Sequence, residues 1–85
     1  MSFIFKQLKI PHVISITPHL FNDERGYFFE NFNHFAFKQD NIDLNFIQEN
    51  FSKSKKNVIR GLHFQKPPKA QAKLVTAVSG EIFDV

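Results

Sequence analysis

Two stretches decide how the rest of the chain is interpreted: Val58-Ile-Arg-Gly-Leu-His-Phe-Gln65 and Ala72-Lys-Leu-Val-Thr-Ala-Val-Ser-Gly80. Apolar residues at positions 58, 59, 62 and 64 and the β-branched run from 74 to 78 predict two strands. The Pro67-Pro68 pair lies between them and cannot continue a strand ladder, because proline lacks the backbone N–H. The sequence therefore predicts two strands joined by a proline loop.

The side chains in these stretches that can do chemistry are Arg60, His63 and Lys73. A regular strand would place Arg60 and His63 on opposite faces, but a glycine inside a strand often marks a bulge, so Gly61 is predicted to turn both toward one cavity. Neighbouring cations favour the neutral imidazole that a general base requires, and they would also stabilise an enolate or hold a phosphate. The residues predict proton abstraction next to a carbonyl on an anionic substrate.

A less reactive interpretation of the same residues stays open at this point. In it, His63 is a core histidine bonded to a backbone carbonyl, and the two cations pair with Glu49 or Asp84. A metal site would need three or four ligands, and His63 and Asp84 are the only candidates near the predicted core. We therefore expect no metal.

The composition bounds the class of protein. Eighty-five residues allow one small domain, and twelve Phe with a 42% hydrophobic fraction supply enough apolar surface to fold. Because the chain has no Cys, no apolar run that would span a bilayer and no signal-peptide pattern, we expect a soluble cytoplasmic protein without a membrane partner. The net charge is +3, and the dense cluster Lys53, Lys55 and Lys56 is typical of a solvated loop, so we expect no nucleic-acid partner.

The first half of the chain predicts short strands around a turn. Residues 3–10 alternate imperfectly, as in a strand with one face covered, and residues 13–17 predict a second strand. The segment Asn22-Asp-Glu-Arg-Gly26 predicts a turn that leads into a strand at 27–31. Taken alone, Arg25 is then a turn residue and Glu30 an exposed strand position.

One short amphipathic helix is predicted at residues 32–39. Its apolar side contains Phe32, Phe35 and Ala36, with Phe37 as a further candidate, and Asn31 or Asn33 is the expected N-cap. His34 falls on the polar side and is expected to face solvent. A helix this short requires its Phe side chains to dock on a sheet.

Strand character returns at residues 42–51 and at 81–85. Gln48 and Asn50 share one face of the first of these strands, where two amides either bind a planar ligand such as a nucleobase or face water; both alternatives stay open. No turn, cap or polar tail follows Val85. We therefore expect residues 1–85 to form a single partial domain, truncated within a strand.

Several blocks, taken in order, share the pattern of one known family. They are Asp23-Glu-Arg-Gly26 followed by Glu30, Phe46-Ile-Gln-Glu-Asn50, Ser52-Lys-Ser54, Arg60-Gly-Leu-His-Phe-Gln65, Ala72-Lys-Leu-Val75 and Gly80-Glu-Ile-Phe-Asp-Val85. Together they resemble the dTDP-4-dehydrorhamnose 3,5-epimerase family of the cupin superfamily. The resemblance implies a mainly β fold, the N-terminal portion of a cupin or jelly-roll β-sandwich with one short helix. Where cupins usually carry a second His and a Glu as metal ligands, this chain has Gln65 and Lys73.

The resemblance also implies the roles of individual residues. His63 matches the base that removes the C3 and C5 protons of a nucleotide-linked 4-keto-6-deoxy sugar, and Lys73 matches the residue that stabilises the enolate. The substrate-binding positions are Arg25, Glu30, Gln48, Asn50, Arg60 and Asp84. No cofactor is implied, and the implied partner is a second copy of the chain in a homodimer with exchanged N-terminal strands.

The chain departs from the family in one respect that affects its activity. Family members are longer, and their second half supplies a Tyr that returns the proton and an Asp that orients the His. Tyr27, the single Tyr here, does not match that acid. The alternatives are therefore a mono-epimerase, a ketoisomerase or a non-catalytic remnant that binds a nucleotide sugar.

Overall fold

The structure is a computed structural model that describes residues 2–85. The chain divides into two compact units, Met1–Ile47 and Gln48–Val85. Every strand and helix of residues 2–85 lies in the first unit. The strands are β1 (Phe3–Gln7), β2 (Ile14–Pro18), β3 (Phe21–Asp23) and β4 (Gly26–Phe28), and the helix is α1 (His34–Gln39).

The strands β1 and β2 form an antiparallel hairpin with one covered face. Phe5 lies opposite Ile16 in the register, and both are half-buried, whereas Ile4 is exposed because it points to the other face. The turn is closed by the Gln7 side chain, whose Nε2 donates to the carbonyls of Leu8, Ile10 and Val13 at 3.1 to 3.3 Å. The two strands predicted from alternation are confirmed, with bounds shifted by one or a few residues.

The strands β3 and β4 form a second antiparallel hairpin, in which Phe21 pairs with Phe28. The predicted turn is confirmed: it reverses the chain between Asp23 and Gly26, and Gly26 has a φ of 134°, a conformation that favours glycine. The sequence analysis did not predict β3, and it predicted a longer following strand than β4. A strand this short offers too few alternating residues to be recognised from its pattern.

The predicted helix is confirmed in its position but not in its apolar face. Asn33 is the N-cap, and its Oδ1 accepts from the Ala36 N–H at 3.0 Å. Phe37 is 1% exposed and Phe35 is 77% exposed, so the prediction that Phe35 lies on the covered side was wrong. His34 is half-buried rather than fully solvent-facing, with Nε2 3.9 Å from the Asp43 carboxylate. None of the helices within residues 2–85 has the length and apolar character needed to cross a bilayer.

Phe37 is the centre of the core of the first unit. The rings of Phe3 and Phe5 from β1 and of Phe32 approach it edge-on, with centroids 5.2, 5.3 and 4.9 Å away. Phe46 packs on Phe32 in the same manner at 5.3 Å. Edge-to-face geometry is the arrangement that the ring quadrupoles prefer. The helix is therefore held on the covered face of the β1–β2 hairpin by aromatic contacts, as its short length requires.

The second unit contains no strand within its described residues, so the strands predicted at 58–65, 74–78 and 81–85 were wrong for this chain, as was the strand at 42–51. Large apolar side chains there are open to solvent: Ile59 and Phe83 are each 93% exposed. The apolar pattern identifies residues suited to a strand, but a strand forms only when its N–H and C=O groups pair with a neighbour. Residues 48–85 provide no such neighbour for one another.

Two turns give the second unit its local shape. The Val58 N–H donates to the Lys55 carbonyl at 3.3 Å, with Asn57 at a φ of 67° between them. The Lys69 N–H donates to the Lys66 carbonyl at 2.7 Å. The loop predicted around the lysine cluster and the connection predicted at the proline pair are both confirmed.

Candidate functional site

The eight candidate site residues are divided between the two units. Arg25 and Glu30 lie in the first, and the remaining six lie in the second: Gln48, Asn50, Arg60, His63, Lys73 and Asp84. Seven of the eight are exposed, and Glu30 is half-buried. Within each unit, no hydrogen bond or ion pair joins any two of these side chains among residues 2–85. Each candidate therefore has its own local setting.

The turn between β3 and β4 presents Arg25 at the surface. Its backbone N–H donates to Asp23 Oδ1 at 2.9 Å, and its Nε donates to Asp23 Oδ2 at 3.2 Å. The Arg25 guanidinium lowers the pKa of the Asp23 carboxyl, and the carboxylate in turn raises the pKa of Arg25. The Arg25 side chain remains 91% exposed. Its outer Nη2 also donates to Asp23 Oδ2, so the Nε edge of the guanidinium faces Asp23 and the N–H groups of Nη1 remain able to bind a ligand.

A shallow open groove of about 320 Å3 runs along this hairpin. It is lined by Phe21, Asp23, Arg25, Gly26, Tyr27 and Phe28. Tyr27 stacks on Phe29 with ring centroids 6.2 Å apart and planes within 12°. The Asp23 carboxylate offsets part of the Arg25 charge in this groove. The exposed rings supply stacking surface for a flat ligand, and the unpaired side of the guanidinium can donate hydrogen bonds to it.

Glu30 lies in the segment between β4 and α1 and is the candidate with the most ordered surroundings. The Asn33 Nδ2 donates to both of its carboxylate oxygens at 3.3 Å. Phe32, between them in sequence, is anchored on Phe37 and Phe46. Glu30, predicted to be an exposed strand position, lies after the strand and is half-buried and hydrogen-bonded.

Arg60 is oriented by a serine across the lysine-rich turn. Its Nε donates to Ser54 Oγ at 2.9 Å, and the residues between them include the 55–58 turn. The bond uses the inner nitrogen of the guanidinium and leaves the two terminal nitrogens to solvent. The sequence analysis named Ser54 only as part of a block. A serine and an arginine on either side of a predicted turn are the sequence feature that could have identified Ser54 as the partner of Arg60.

His63 lies two residues after Gly61. Gly61 has a φ of 120°, and a Cβ built there would lie 3.6 Å from the His63 backbone nitrogen and 4.0 Å from its Nδ1. Glycine adopts this backbone conformation without the strain that a side chain would add. The bulge predicted to turn Arg60 and His63 toward one cavity stays a prediction. The imidazole is exposed, so the interpretation of His63 as a core histidine is wrong for this unit.

The two cations near His63 in sequence form no ion pair with Glu49 or Asp84 within the described residues. The Lys73 side chain is exposed beside Leu74, the one half-buried residue of the second unit. Gln48 and Asn50 are both open to solvent. The gathering of Arg60, His63 and Lys73 around one cavity stays a prediction.

No three side chains of His, Asp or Glu within residues 2–85 are grouped as metal ligands. The polar groups that the structure does offer are a carboxylate, amides, an imidazole and cations at the surface. Carboxylates and amides can form hydrogen bonds with a ligand, and an exposed imidazole can accept a proton.

The sequence model of one protein family, described as dTDP-4-dehydrorhamnose 3,5-epimerase, matches residues 7–85. The dTDP-4-dehydrorhamnose 3,5-epimerase of Salmonella typhimurium is 52% identical over 77 residues, which cover 89% of this chain and 42% of that protein. The protein of the same name in Shigella flexneri is 50% identical over 78 residues, covering 91% of this chain and 43% of the relative. The protein of the same name in Methanothermobacter thermautotrophicus is 46% identical over 83 residues, which cover 98% of this chain and 44% of that relative.

The chain spans less than half the length of these curated relatives. No solved structure matches it. The family is cupin-like, and the regular elements of the structure are strands in small sheets with one short helix, so the predicted mainly β, cupin-type fold class is confirmed.

Proposed function

The chain belongs to the dTDP-4-dehydrorhamnose 3,5-epimerase family, and on that premise we propose that it carries the base and the nucleotide-binding residues of such an epimerase. The reaction is epimerisation at C3 and C5 of dTDP-4-dehydro-6-deoxyglucose, without a cofactor, on the route to dTDP-L-rhamnose. The observation that carries the proposal is the family match over residues 7–85, since that range includes every candidate site residue.

In the proposed mechanism, His63 is the base. Its imidazole takes the proton from the carbon next to the C4 ketone, and the electron pair moves to the C4 oxygen as an enolate. Lys73 stabilises the enolate as a compact positive charge, and Arg60 binds near the diphosphate through the terminal nitrogens that Ser54 leaves unoccupied. The exposure of the imidazole supports its role, because a base must be able to reach its substrate. Return of the proton to the opposite face gives the epimer.

The nucleotide is bound, in this proposal, by Arg25, Glu30, Gln48 and Asn50, and Asp84 lines the sugar end of the site. The exposed guanidinium of Arg25 and the aromatic groove on its hairpin support the assignment, because they are suited to a base and an anionic phosphate. Glu30, held by Asn33, is suited to accept hydrogen bonds from a base or a ribose.

We further propose that residues 1–85 are part of one larger cupin-like domain. Two observations support this: the relatives are more than twice as long as the stretch they share with the chain, and Ile59 and Phe83 are each 93% exposed. Apolar side chains of that size require cover from further strands or from a second copy. A homodimer with exchanged N-terminal strands would supply part of that cover. The proposed location is the cytoplasm, with no nucleic-acid or membrane partner.

The test of the function is to incubate the protein at its native length with dTDP-4-dehydro-6-deoxyglucose and identify the product by NMR. The proposal expects inversion at both C3 and C5. Inversion at one carbon would establish a mono-epimerase, and movement of the carbonyl would establish a ketoisomerase. Binding without any reaction would establish a nucleotide-sugar-binding remnant. Any of these three results would overturn the proposed double epimerisation.

A further inference from the structure

Asn33 makes two sets of hydrogen bonds in opposite directions. Its Oδ1 accepts from the Ala36 N–H at 3.0 Å and so caps α1. Its Nδ2 donates to Glu30 Oε1 and to Glu30 Oε2, both at 3.3 Å. The orientation of the amide is fixed by chemistry: a backbone N–H requires an oxygen and a carboxylate requires a donor, so turning the amide over would break all three bonds.

The backbone around this pair is held in place by packing. Phe32 lies between Glu30 and Asn33 in sequence, and its ring packs edge-on against Phe37 at 4.9 Å and Phe46 at 5.3 Å. Both Glu30 and Asn33 are half-buried, which removes part of the competition from water. The Glu30 carboxylate thus has a fixed position relative to the core.

We propose that Asn33 is a positioning residue for nucleotide binding: it sets the direction of the Glu30 carboxylate through the same amide that starts the helix. This inference rests on the proposed function, in which Glu30 binds the nucleotide. Each carboxylate oxygen has more than one acceptor site, so the two bonds from Asn33 orient the group and leave it able to accept from a ligand. Orientation before binding reduces the entropy lost when the ligand arrives.

Two substitutions at Asn33 distinguish its role as the N-cap of the helix from its role in orienting Glu30. Asn33→Ser keeps a good N-cap oxygen but cannot reach Glu30 with a donor, whereas Asn33→Ala removes both. The protein at its native length is titrated with dTDP, and its melting temperature is measured beside the wild type. For Asn33→Ser we expect dTDP affinity to fall by about threefold to tenfold, the usual range for one lost hydrogen bond, with the melting temperature unchanged. Asn33→Ala is expected to lose both affinity and melting temperature.

Two controls test whether the loss of dTDP affinity in Asn33→Ser depends on Glu30. In a Glu30→Gln background, itself weaker for dTDP, Asn33→Ser is expected to cause much less further loss, because the carboxylate it orients is gone. Asn45→Ser, the same change at an exposed position of the first unit, is expected to leave affinity unchanged. Unchanged affinity in Asn33→Ser, or the same loss in both backgrounds, would overturn the inference and leave the proposed function standing. A wild-type protein that binds no dTDP would overturn the proposed function and the role of Asn33 with it.

Discussion

The two units of this chain differ in how much of their sequence pattern becomes structure. In the first unit, alternating residues of β1 pair with β2, and a helix of six residues docks on them through Phe37. In the second unit, stretches with equally good apolar patterns, which contain His63 and Lys73, form no strand and are exposed to solvent. The contrast shows that a pattern becomes a strand only where the chain also contains its ladder partner.

The largest effect is expected from the core of the first unit. Phe37→Ala removes the one side chain of the described residues that is fully buried, and it should lower the free energy of unfolding by about 3 to 5 kcal/mol. Phe35→Ala is the matched control two positions earlier on the same helix; its ring is 77% exposed, and the change should stay within about 0.5 kcal/mol. Urea unfolding followed by circular dichroism measures both. Equal losses would contradict the aromatic core centred on Phe37.

The second unit provides a test of whether its open apolar residues are covered at native length. Phe83 is 93% exposed, so Phe83→Ala should leave the unfolding of the 85-residue chain nearly unchanged. At native length we expect the same change to cost about 1.5 to 3 kcal/mol, because the ring is then packed against further structure. A cost that stays negligible at both lengths would refute the proposal that this unit is part of a larger domain.

A smaller effect is expected at the bond between Arg60 and Ser54. Ser54→Ala removes the acceptor of the Arg60 Nε and should raise the KM for the nucleotide sugar by about twofold to tenfold, with kcat less affected. Ser54→Thr keeps the hydroxyl and should retain the wild-type KM. Ser79→Ala is the control at an exposed serine near the end of the chain. If Ser54→Ala and Ser79→Ala behave alike, the bond has no role in binding.

The smallest effect is a pH dependence confined to the hairpin of the first unit. Arg25 lowers the pKa of Asp23 below its ordinary value of 3.8, so the ion pair stabilises the turn above that pH and is lost as the pH falls through the lower value in the folded hairpin. Both side chains are exposed, and salt should weaken the effect. NMR titration of the Arg25 amide measures it, and Asp23→Asn should abolish the shift. A titrating amide in Asp23→Asn would assign the shift to another group.

The sequence predicted local features, such as turns and caps, better than it predicted which residues pack against each other. The turn at Gly26 and the cap at Asn33 were both predicted, because each depends on the chemistry of a few neighbouring residues. Phe35 was assigned to the covered side of the helix because its spacing from Phe32 fits, yet the sheet lies against Phe37. Which face of a short helix is covered depends on contacts distant in sequence.

The sequence predicted which residues form the candidate site, but it did not predict how those residues are arranged in space. His63, Lys73 and Arg60 were selected as an acid or base with cations. All three are exposed in the second unit, and no hydrogen bond or ion pair joins them within residues 2–85. The hydrogen bonds from Asn33 to Glu30 and from Arg60 to Ser54 were not predicted from the sequence. They depend on the direction of side chains, which a spacing rule does not give.

The most direct test of the central claim is solvent deuterium exchange at the substrate. The native-length protein is incubated in D2O with dTDP-4-dehydro-6-deoxyglucose, and deuterium at C3 and C5 is measured by NMR or mass spectrometry beside His63→Asn. The account predicts deuterium at both carbons with the wild type and a rate lower by about 100-fold to 10,000-fold with His63→Asn, the contribution usual for a general base. Exchange by His63→Asn at the wild-type rate, or a wild type that binds the sugar without exchanging either proton, would contradict it.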